Sequence, residues 1–365
     1  MSGKKAVHKY YADSLGQILG YVDEIGKAYK EDGHLKPLWF RGQEYTSYTL
    51  VPSIFRQAKY QYNGSLTYSH DHLREDYRYQ HFMSRNFDKM DYRTPNSVFE
   101  WQEIMQHFFS KTRLMDWSES LFSALEFAME AFLIPYRDLE ITEKRHKMQP
   151  TLWVLQPRRL NEAVYDALLA EDAALIREKA LQSLDQLARD QILHELKEHR
   201  DIYFSLDKEE QNLDCIVSLT ALEDLRRSYI GREKEALERL EMNPFFYMLL
   251  RIYSDGLPVD MGTVPPLAII HPYHSQRIRA QKGVFTVFPY YILREQEKTL
   301  LDMKVGIDPI AMEYMPKCKD HLYEIRLTDP RRIAEEMRQI GYKSSDLYPD
   351  TQRVTQDMEN MDFSI

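Results

Sequence analysis

The chain has 365 residues, of which 43% are hydrophobic and 12% aromatic, so a sizeable core can form, and the composition argues against wholesale disorder. A formal net charge of −9 argues against a surface coated in positive charge for non-specific nucleic-acid binding, although a local basic patch stays open. Two cysteines, a polar N-terminus and the lack of an apolar run near the ~20 residues that span a bilayer predict a cytoplasmic protein with no membrane partner.

The first third of the chain predicts mainly helices. In chain order these are a helix from the cap Ser14 to about 32–33, a strand over 38–41 closed by Gly42, an extended piece over 49–53, helices over 69–92 and 97–109, a break over 112–117 that could be a strand, and an apolar helix over 120–133.

The remaining chain adds strands and a distinct helical segment. Strands are predicted over 151–155, 267–270, 284–288 and 322–327, and a helix from Asp329-Pro330 to about Gly341. Residues 157–245 are rich in Ala, Leu, Glu, Lys and Arg and nearly lack Gly and Pro, which predicts a helical insertion. Because strands are scattered among helices without regular alternation, we predict an α+β fold with a central mixed or antiparallel sheet flanked by helices.

Several familiar chemistries lack their motifs. His194 and His199 are five residues apart, which places them on different faces of a helix, whereas a zinc-protease pair is four apart. His271 and His274 have no evident third ligand. Neither a phosphate-binding Gly-rich loop nor the Gly-x-Ser-x-Gly turn of esterases occurs. We therefore predict no metal site.

Arg41 stands where a core strand meets Gly42. The glycine lets a backbone approach closely, and the guanidinium presents a fixed fork of donors suited to phosphate or carboxylate. A buried arginine that bridges loop carbonyls and a carboxylate explains the same pattern equally well.

Two further segments concentrate polar residues beside apolar elements. Over 106–118, Arg113 and Asp116 could form an internal ion pair, whereas the remaining polar residues could line a cleft. These are Gln106, His107, Trp117 and Ser118. Over 277–286, Gln281 could project from a strand end into a cleft, or it could cap a turn.

These segments, in this order, resemble the FRG domain family, which is named for its Phe-Arg-Gly triplet. The resemblance rests on Trp39-Phe40-Arg41-Gly42-Gln43, Leu50-Val51-Pro52-Ser53 with Arg56, Gln106-His107, Thr112-Arg113-Leu114-Met115-Asp116-Trp117, Ser123-Ala124-Leu125-Glu126-Phe127-Ala128, and Arg277, Gln281, Gly283 and Phe285-Thr286. It runs from about 20 to 355, which implies a single FRG-like domain over 1–365 that contains the insertion.

The order of these motifs is similar to that of ADP-ribosyltransferases, and the likeness implies NAD as the cofactor. Arg41 and Gln281 would be the catalytic pair, with Arg41 holding the pyrophosphate, Gln281 orienting the ribose, and Trp117 or a nearby tyrosine stacking on nicotinamide. The implied ligand-binding residues are Gln43, Gln106, His107, Thr112, Arg113, Asp116, Trp117, Ser118, Arg277 and Gly283. A neutral amide at Gln281 departs from the usual glutamate, which favours an acceptor other than arginine, or binding without turnover.

Three functions follow as hypotheses. The first is an ADP-ribosyltransferase-like effector, such as a bacterial toxin or a phage-defence protein. The second is a non-catalytic module that senses a nucleotide or RNA through Arg41, Arg113 and the basic residues of 277–282. The third is a protein-interaction module that acts through the helical insertion.

Overall fold

The computed structural model describes residues 7–31, 33–56, 59–62, 65–68, 75–86, 98–107, 110–133, 148–198, 217–270, 276–292 and 310–347. Its strands are β1 (His8–Ala12), β2 (Lys30–Glu31), β3 (His34–Leu35), β4 (Trp39–Gln43), β5 (Lys59–Tyr62), β6 (Ser65–Tyr68), β7 (Leu114–Ser118), β8 (Thr151–Leu155), β9 (Val217–Ser218), β10 (Val259–Asp260), β11 (Leu267–Ile270), β12 (Gly283–Val287), β13 (Tyr291–Ile292) and β14 (Leu322–Leu327). Its α-helices are α1 (Leu15–Ala28), α2 (Ser53–Arg56), α3 (Glu75–Asn86), α4 (Val98–His107), α5 (Leu121–Leu133), α6 (Pro157–Leu169), α7 (Ala174–Ala180), α8 (Gln186–Glu198), α9 (Leu219–Arg227), α10 (Glu233–Glu238), α11 (Pro244–Leu249), α12 (Gln276–Gln281) and α13 (Pro330–Gln339).

Eight of these strands form one central sheet, in the order β1-β14-β8-β4-β7-β12-β11-β9. The two outermost pairs, β1 with β14 and β11 with β9, are parallel, and the pairs between them are antiparallel. The sheet is therefore mixed, and helices pack around it. This confirms the predicted fold class.

The middle of the sheet is weakly joined. Strands β4 and β7 pair at a single position, Phe40 opposite Ser118. By contrast, β4 pairs with β8 at five positions, and β7 pairs with β12 at five. The sheet thus consists of two halves that meet at one residue pair and open beyond it, which leaves room for side chains between the strands.

Each face of the sheet carries its own hydrophobic core, because successive side chains of a strand point to opposite faces. Trp39 and Trp153 belong to the core that includes Leu160 and Tyr165 of α6. Phe40 belongs to the other core, which includes residues of α1, α5 and α13. On this alternation, Arg41 shares the first face and Gly42 the second.

Gly42 is required by the packing of α5 on β4. A Cβ at this position would lie 1.8 Å from the Ala124 carbonyl oxygen and 2.6 Å from the Ala128 amide nitrogen. Both atoms are helix backbone, which cannot rotate away as a side chain can. The close approach predicted from Gly42 is therefore real, and the backbone that approaches is that of α5.

The boundaries of several elements follow from the sequence signals. The Ser14 hydroxyl accepts from the Gln17 amide at 3.4 Å, and the Asp329 carboxylate accepts from the Arg332 amide at 3.1 Å. Both predicted caps are therefore confirmed.

The extended piece predicted over 49–53 was wrong at its end, because Ser53 begins the short helix α2 after Pro52. The N-terminal strand β1 was missed; it lies at the sheet edge and pairs with β14, and only one of its five residues, Ala12, is buried.

The predicted insertion over 157–245 contains α6 to α10, the two-residue strand β9 and the first two residues of α11. Its α6 shares a core with the sheet, since the side chain of Asn161 donates to the Ala268 carbonyl at 3.0 Å and accepts from the Ala268 amide at 2.8 Å. That these residues are an insertion within a single domain stays a prediction. Cys215, His199, His271 and His274 lie outside the described residues.

Candidate functional site

A cavity of about 660 Å³ opens where the two halves of the sheet part. It draws on β4, the loop after it, α2, α4, β7, α5, α12 and β12. Of the predicted site residues, it is lined by Arg41, Gln43, Gln106, Asp116, Trp117, Ser118, Gln281 and Gly283. The three sequence segments therefore meet at one cavity, although their binding of a ligand stays a prediction.

Arg41 spans the opening between the strands. Its Nη1 donates to the Asp116 backbone oxygen at 2.5 Å and lies 3.8 Å from the Asp116 carboxylate. Its Nε is buried, with no acceptor among the described residues. Burial lowers the pKa of Arg41, the Asp116 charge opposes that shift, and the neighbouring Arg56 adds to it. The side chain keeps 16% of its surface exposed, so a ligand can reach it.

A second arginine stands beside the first. Arg56 ends α2, and its Nε donates to the Val51 carbonyl at 2.7 Å. Partial burial lowers the pKa of Arg56, while Asp116 and Tyr48 oppose that shift. Two guanidinium groups close enough to affect each other form a pair of donors suited to an anionic ligand.

Asp116 is held by an amide from α4. The Gln106 Nε2 donates to the Asp116 carboxylate at 2.6 Å, and the Gln106 Oε1 accepts from the Thr112 hydroxyl at 2.8 Å. Asp116 nevertheless keeps 59% of its side chain exposed. The carboxylate is thus fixed in place on one side and open to solvent on the other.

The other wall of the cavity is tied to the end of α12. Ser118 donates its hydroxyl to the Gln281 carbonyl at 2.6 Å and accepts from the Ser120 amide at 2.9 Å. The Nε2 of Gln281 is buried, with no acceptor among the described residues. Gln281 ends a helix, where the sequence predicted either a strand end or a turn. Its amide and the Nε of Arg41 are two unused donors at one cavity.

Some predicted site residues serve the core. Arg113 is fully buried, donates to the Phe288 and Tyr253 carbonyls at 2.7 and 3.1 Å, and lies 3.8 Å from the centre of the Tyr290 ring. It does not line the cavity, which corrects its assignment as a ligand-binding residue. The ion pair considered between Arg113 and Asp116 is also corrected, because Asp116 lies beside Arg41.

Contacts within the protein also engage the side chains of Thr112, Trp117 and Gln43. Thr112 is fully buried and does not line the cavity, so its assignment as a ligand contact is corrected. Trp117 is 3% exposed and its Nε1 donates to Thr286 at 3.1 Å, which leaves almost no ring surface for stacking on nicotinamide. The Oε1 of Gln43 accepts from the Trp153 indole at 2.8 Å.

Two predicted residues remain unplaced at the side-chain level. His107 is the last residue of α4 and Arg277 lies in α12, but their side chains lie outside what the structure describes. Within the described residues, no group of three or more His, Cys, Asp or Glu side chains is arranged to hold a metal ion.

The cavity also contains residues that the sequence did not single out. Glu44, Ser47, Tyr48 and Thr49 line it from the loop after β4, and Glu103 and Phe127 line it from α4 and α5. Glu103 precedes Gln106 by three residues and so shares its helix face, a signal that was present in the sequence. Tyr48, which is 52% exposed, carried no comparable signal.

Comparison with known proteins gives one match. The family model described as FRG domain matches residues 36–133, which include Arg41, Gln43, Gln106 and Asp116 but not Gln281. No curated protein matches the chain, and no solved structure matches it. None of the helices described is both long and apolar enough to cross a membrane. The resemblance to the FRG domain family is therefore confirmed over residues 36–133.

Proposed function

We propose that this cavity binds a nucleotide of the NAD class and that the chain is an ADP-ribosyltransferase-like protein. The observation that carries the proposal is the buried, unpartnered Nε of Arg41 at a cavity shared by all three sequence segments. A buried donor without an acceptor costs about 1–3 kcal/mol, which a ligand oxygen would recover. The volume of about 660 Å³ lies within the usual range for small-molecule sites.

Each wall has a group that fits one part of such a nucleotide. Arg41 and Arg56 would bind the pyrophosphate oxygens, and the Gln281 amide would donate to a ribose hydroxyl. Tyr48 and Phe127, which are 52% and 37% exposed, offer ring surface for stacking that Trp117 lacks. Bound NAD would supply the ADP-ribosyl group.

The charges of the lining favour NAD over a polyanion such as RNA. Two arginines, Arg41 and Arg56, and three acidic residues, Glu44, Glu103 and Asp116, line the cavity. A chain of phosphates would meet net negative charge there, whereas NAD combines a pyrophosphate with a cationic pyridinium ring. The carboxylates would also stabilise positive charge that develops on the ribose during transfer.

A nucleotide-binding module without turnover is the second candidate, and Gln281 is the observation that favours it. Its neutral side chain stabilises a developing positive charge less than the glutamate usual in ADP-ribosyltransferases. Binding and turnover are separable, because only turnover releases nicotinamide.

The test measures binding of NAD and ADP-ribose by calorimetry, together with nicotinamide release. Arg41→Gln removes the charge while keeping a polar side chain, and we expect binding to weaken about tenfold to a hundredfold. Arg332→Gln is the matched control, since Arg332 is 54% exposed and pairs with Glu336 on α13. The proposal is wrong if neither NAD nor ADP-ribose binds the unmodified protein. It is also wrong if Arg41→Gln binds these nucleotides as tightly as the unmodified protein does.

A cellular assay tests the proposed effector role in toxicity or phage defence. An NAD-consuming effector lowers cytoplasmic NAD when it is expressed, and Arg41→Gln should prevent that fall. An unchanged NAD level alongside intact binding would leave the nucleotide-sensing module as the function.

A further inference from the structure

We infer that Thr112 is a positioning residue that holds Arg41 in its ligand-binding orientation through Gln106 and Asp116; this inference rests on the proposed nucleotide site. Thr112 is fully buried and does not line the cavity. Any effect of its hydroxyl on ligand binding must therefore pass through other residues.

Three hydrogen bonds connect Thr112 to Arg41 through Gln106 and Asp116, and a fourth, from Leu114, holds the Thr112 hydroxyl. The Leu114 amide donates to the Thr112 hydroxyl at 3.3 Å, and that hydroxyl donates to the Gln106 Oε1 at 2.8 Å. The Gln106 Nε2 donates to the Asp116 Oδ1 at 2.6 Å. The Arg41 Nη1 then donates to the backbone oxygen of Asp116 at 2.5 Å.

The chemistry of both ends fixes the direction of this chain of bonds. A carboxylate only accepts, so Gln106 must turn its Nε2 to Asp116 and its Oε1 to Thr112. A backbone amide only donates, so the single hydroxyl proton of Thr112 is left for Gln106. The orientation of the Gln106 amide is therefore specified by its neighbours, which removes the usual ambiguity between its oxygen and its nitrogen.

As a result, one nitrogen of the Arg41 guanidinium is bonded to the protein and another is not. Asp116 engages the Nη1, which holds the guanidinium across the opening between β4 and β7. The Nε stays without an acceptor among the described residues and is left for the ligand. If Gln106 could rotate, the Asp116 carboxylate would lose its fixed position 3.8 Å from the Arg41 Nη1, and Asp116 would hold Arg41 only through its backbone oxygen.

The backbone of Thr112 performs a separate task that the test leaves intact. Its amide donates to the Ser53 hydroxyl at 3.3 Å, and its carbonyl accepts from the Ile54 amide at 3.4 Å. These bonds attach α2, which carries Arg56, to the start of β7. Replacing only the side chain of Thr112 leaves these backbone bonds intact; it removes the donor to Gln106 and the acceptor of the Leu114 amide.

The experiment compares Thr112→Val, which keeps the shape and removes the hydroxyl, with Thr112→Ser, which keeps the hydroxyl. We expect Thr112→Val to weaken ADP-ribose binding about tenfold and Thr112→Ser to bind within about twofold of the unmodified protein. Equal binding by Thr112→Val and the unmodified protein overturns the inference and leaves the proposed function in place. Equal weakening in both variants overturns it too, because the hydroxyl would then be irrelevant.

A ligand-free measurement separates this inference from the proposed function. The ¹⁵N resonance of the Arg41 Nε, assigned by its loss in Arg41→Gln, should move in Thr112→Val and stay in Thr112→Ser. If the unmodified protein binds no nucleotide, the proposed function fails, and this resonance alone decides whether Thr112 positions Arg41. Should Thr112→Val fail to fold, Gln106→Glu serves instead, because it places an acceptor opposite the Asp116 carboxylate. It should move the same resonance, and a fixed resonance overturns the inference.

Discussion

Replacing Gly42 by alanine should strongly destabilise the protein. The added Cβ would lie 1.8 Å from the Ala124 carbonyl oxygen and 2.6 Å from the Ala128 amide nitrogen, whereas nonbonded heavy atoms are comfortable at ~3.5–4 Å. Because all the close atoms belong to the backbone of α5, the helix and β4 would have to separate. We expect a cost of about 3 kcal/mol or more, at the upper end of the range for overpacked cores.

The matched control is the same substitution at an exposed position. Gly20 lies within α1, and a Cβ there would meet nothing within 4 Å. Alanine restricts the unfolded chain and favours the helix, so Gly20→Ala should stabilise the protein by about 0.5–1 kcal/mol. The same substitution is thus expected to lower the stability of the fold at Gly42 and to raise it at Gly20.

Urea unfolding followed by circular dichroism measures both variants against the unmodified protein. A loss of less than about 1 kcal/mol for Gly42→Ala would refute the argument, because it would mean that α5 can move away from β4 at little cost. Since β4 also carries Arg41, the folded fraction of Gly42→Ala should bind ADP-ribose more weakly as well. Gly20→Ala should bind it as the unmodified protein does.

Two further predictions concern buried charge. Arg113→Met should destabilise the protein by about 3 kcal/mol in the same urea assay, because the Phe288 and Tyr253 carbonyls lose their donor; a change under about 1 kcal/mol would contradict this. Burial raises the pKa of Glu223, against the opposing hydrogen bond from Ser254. The folded state therefore binds the proton more tightly than the unfolded state, and stability falls as pH rises from about 4.3, the unfolded pKa, through the folded pKa. Glu223→Gln should raise the melting temperature more at pH 8 than at pH 4, and an equal change at both pH values would count against the assignment.

Local signals in the sequence predicted most of the fold. The apolar spacing and the caps at Ser14 and Asp329 located α1 and α13, and the apolar runs bounded by prolines located β8. Signals of this kind act within a few residues, so they appear directly in the chain. The strand β1 escaped because it lies at a sheet edge, where only one neighbour, β14, constrains its composition.

Which of the polar residues line the cavity and which belong to the core could not be predicted in the same way. The sequence placed Arg41, Asp116 and Arg113 in polar segments but could not say which arginine would face Asp116. That choice depends on the pairing of β4 with β7 at Phe40 and Ser118 alone, a contact between residues far apart in the chain. The direction of the Arg113 side chain depends in turn on the Phe288 and Tyr253 carbonyls, which belong to residues even farther away in the sequence.

The Phe-Arg-Gly triplet therefore combines three requirements that need not occur together. Phe40 fills the core beneath α1 and α5, and Gly42 lets α5 lie directly on β4. Both residues also line the cavity, but the packing that they provide needs no ligand. Of the three residues of the triplet, Arg41 is the one that brings an unused donor to the cavity. A chain that kept the phenylalanine and the glycine but lacked the arginine would retain the packing of helix on strand and lose the guanidinium at the cavity.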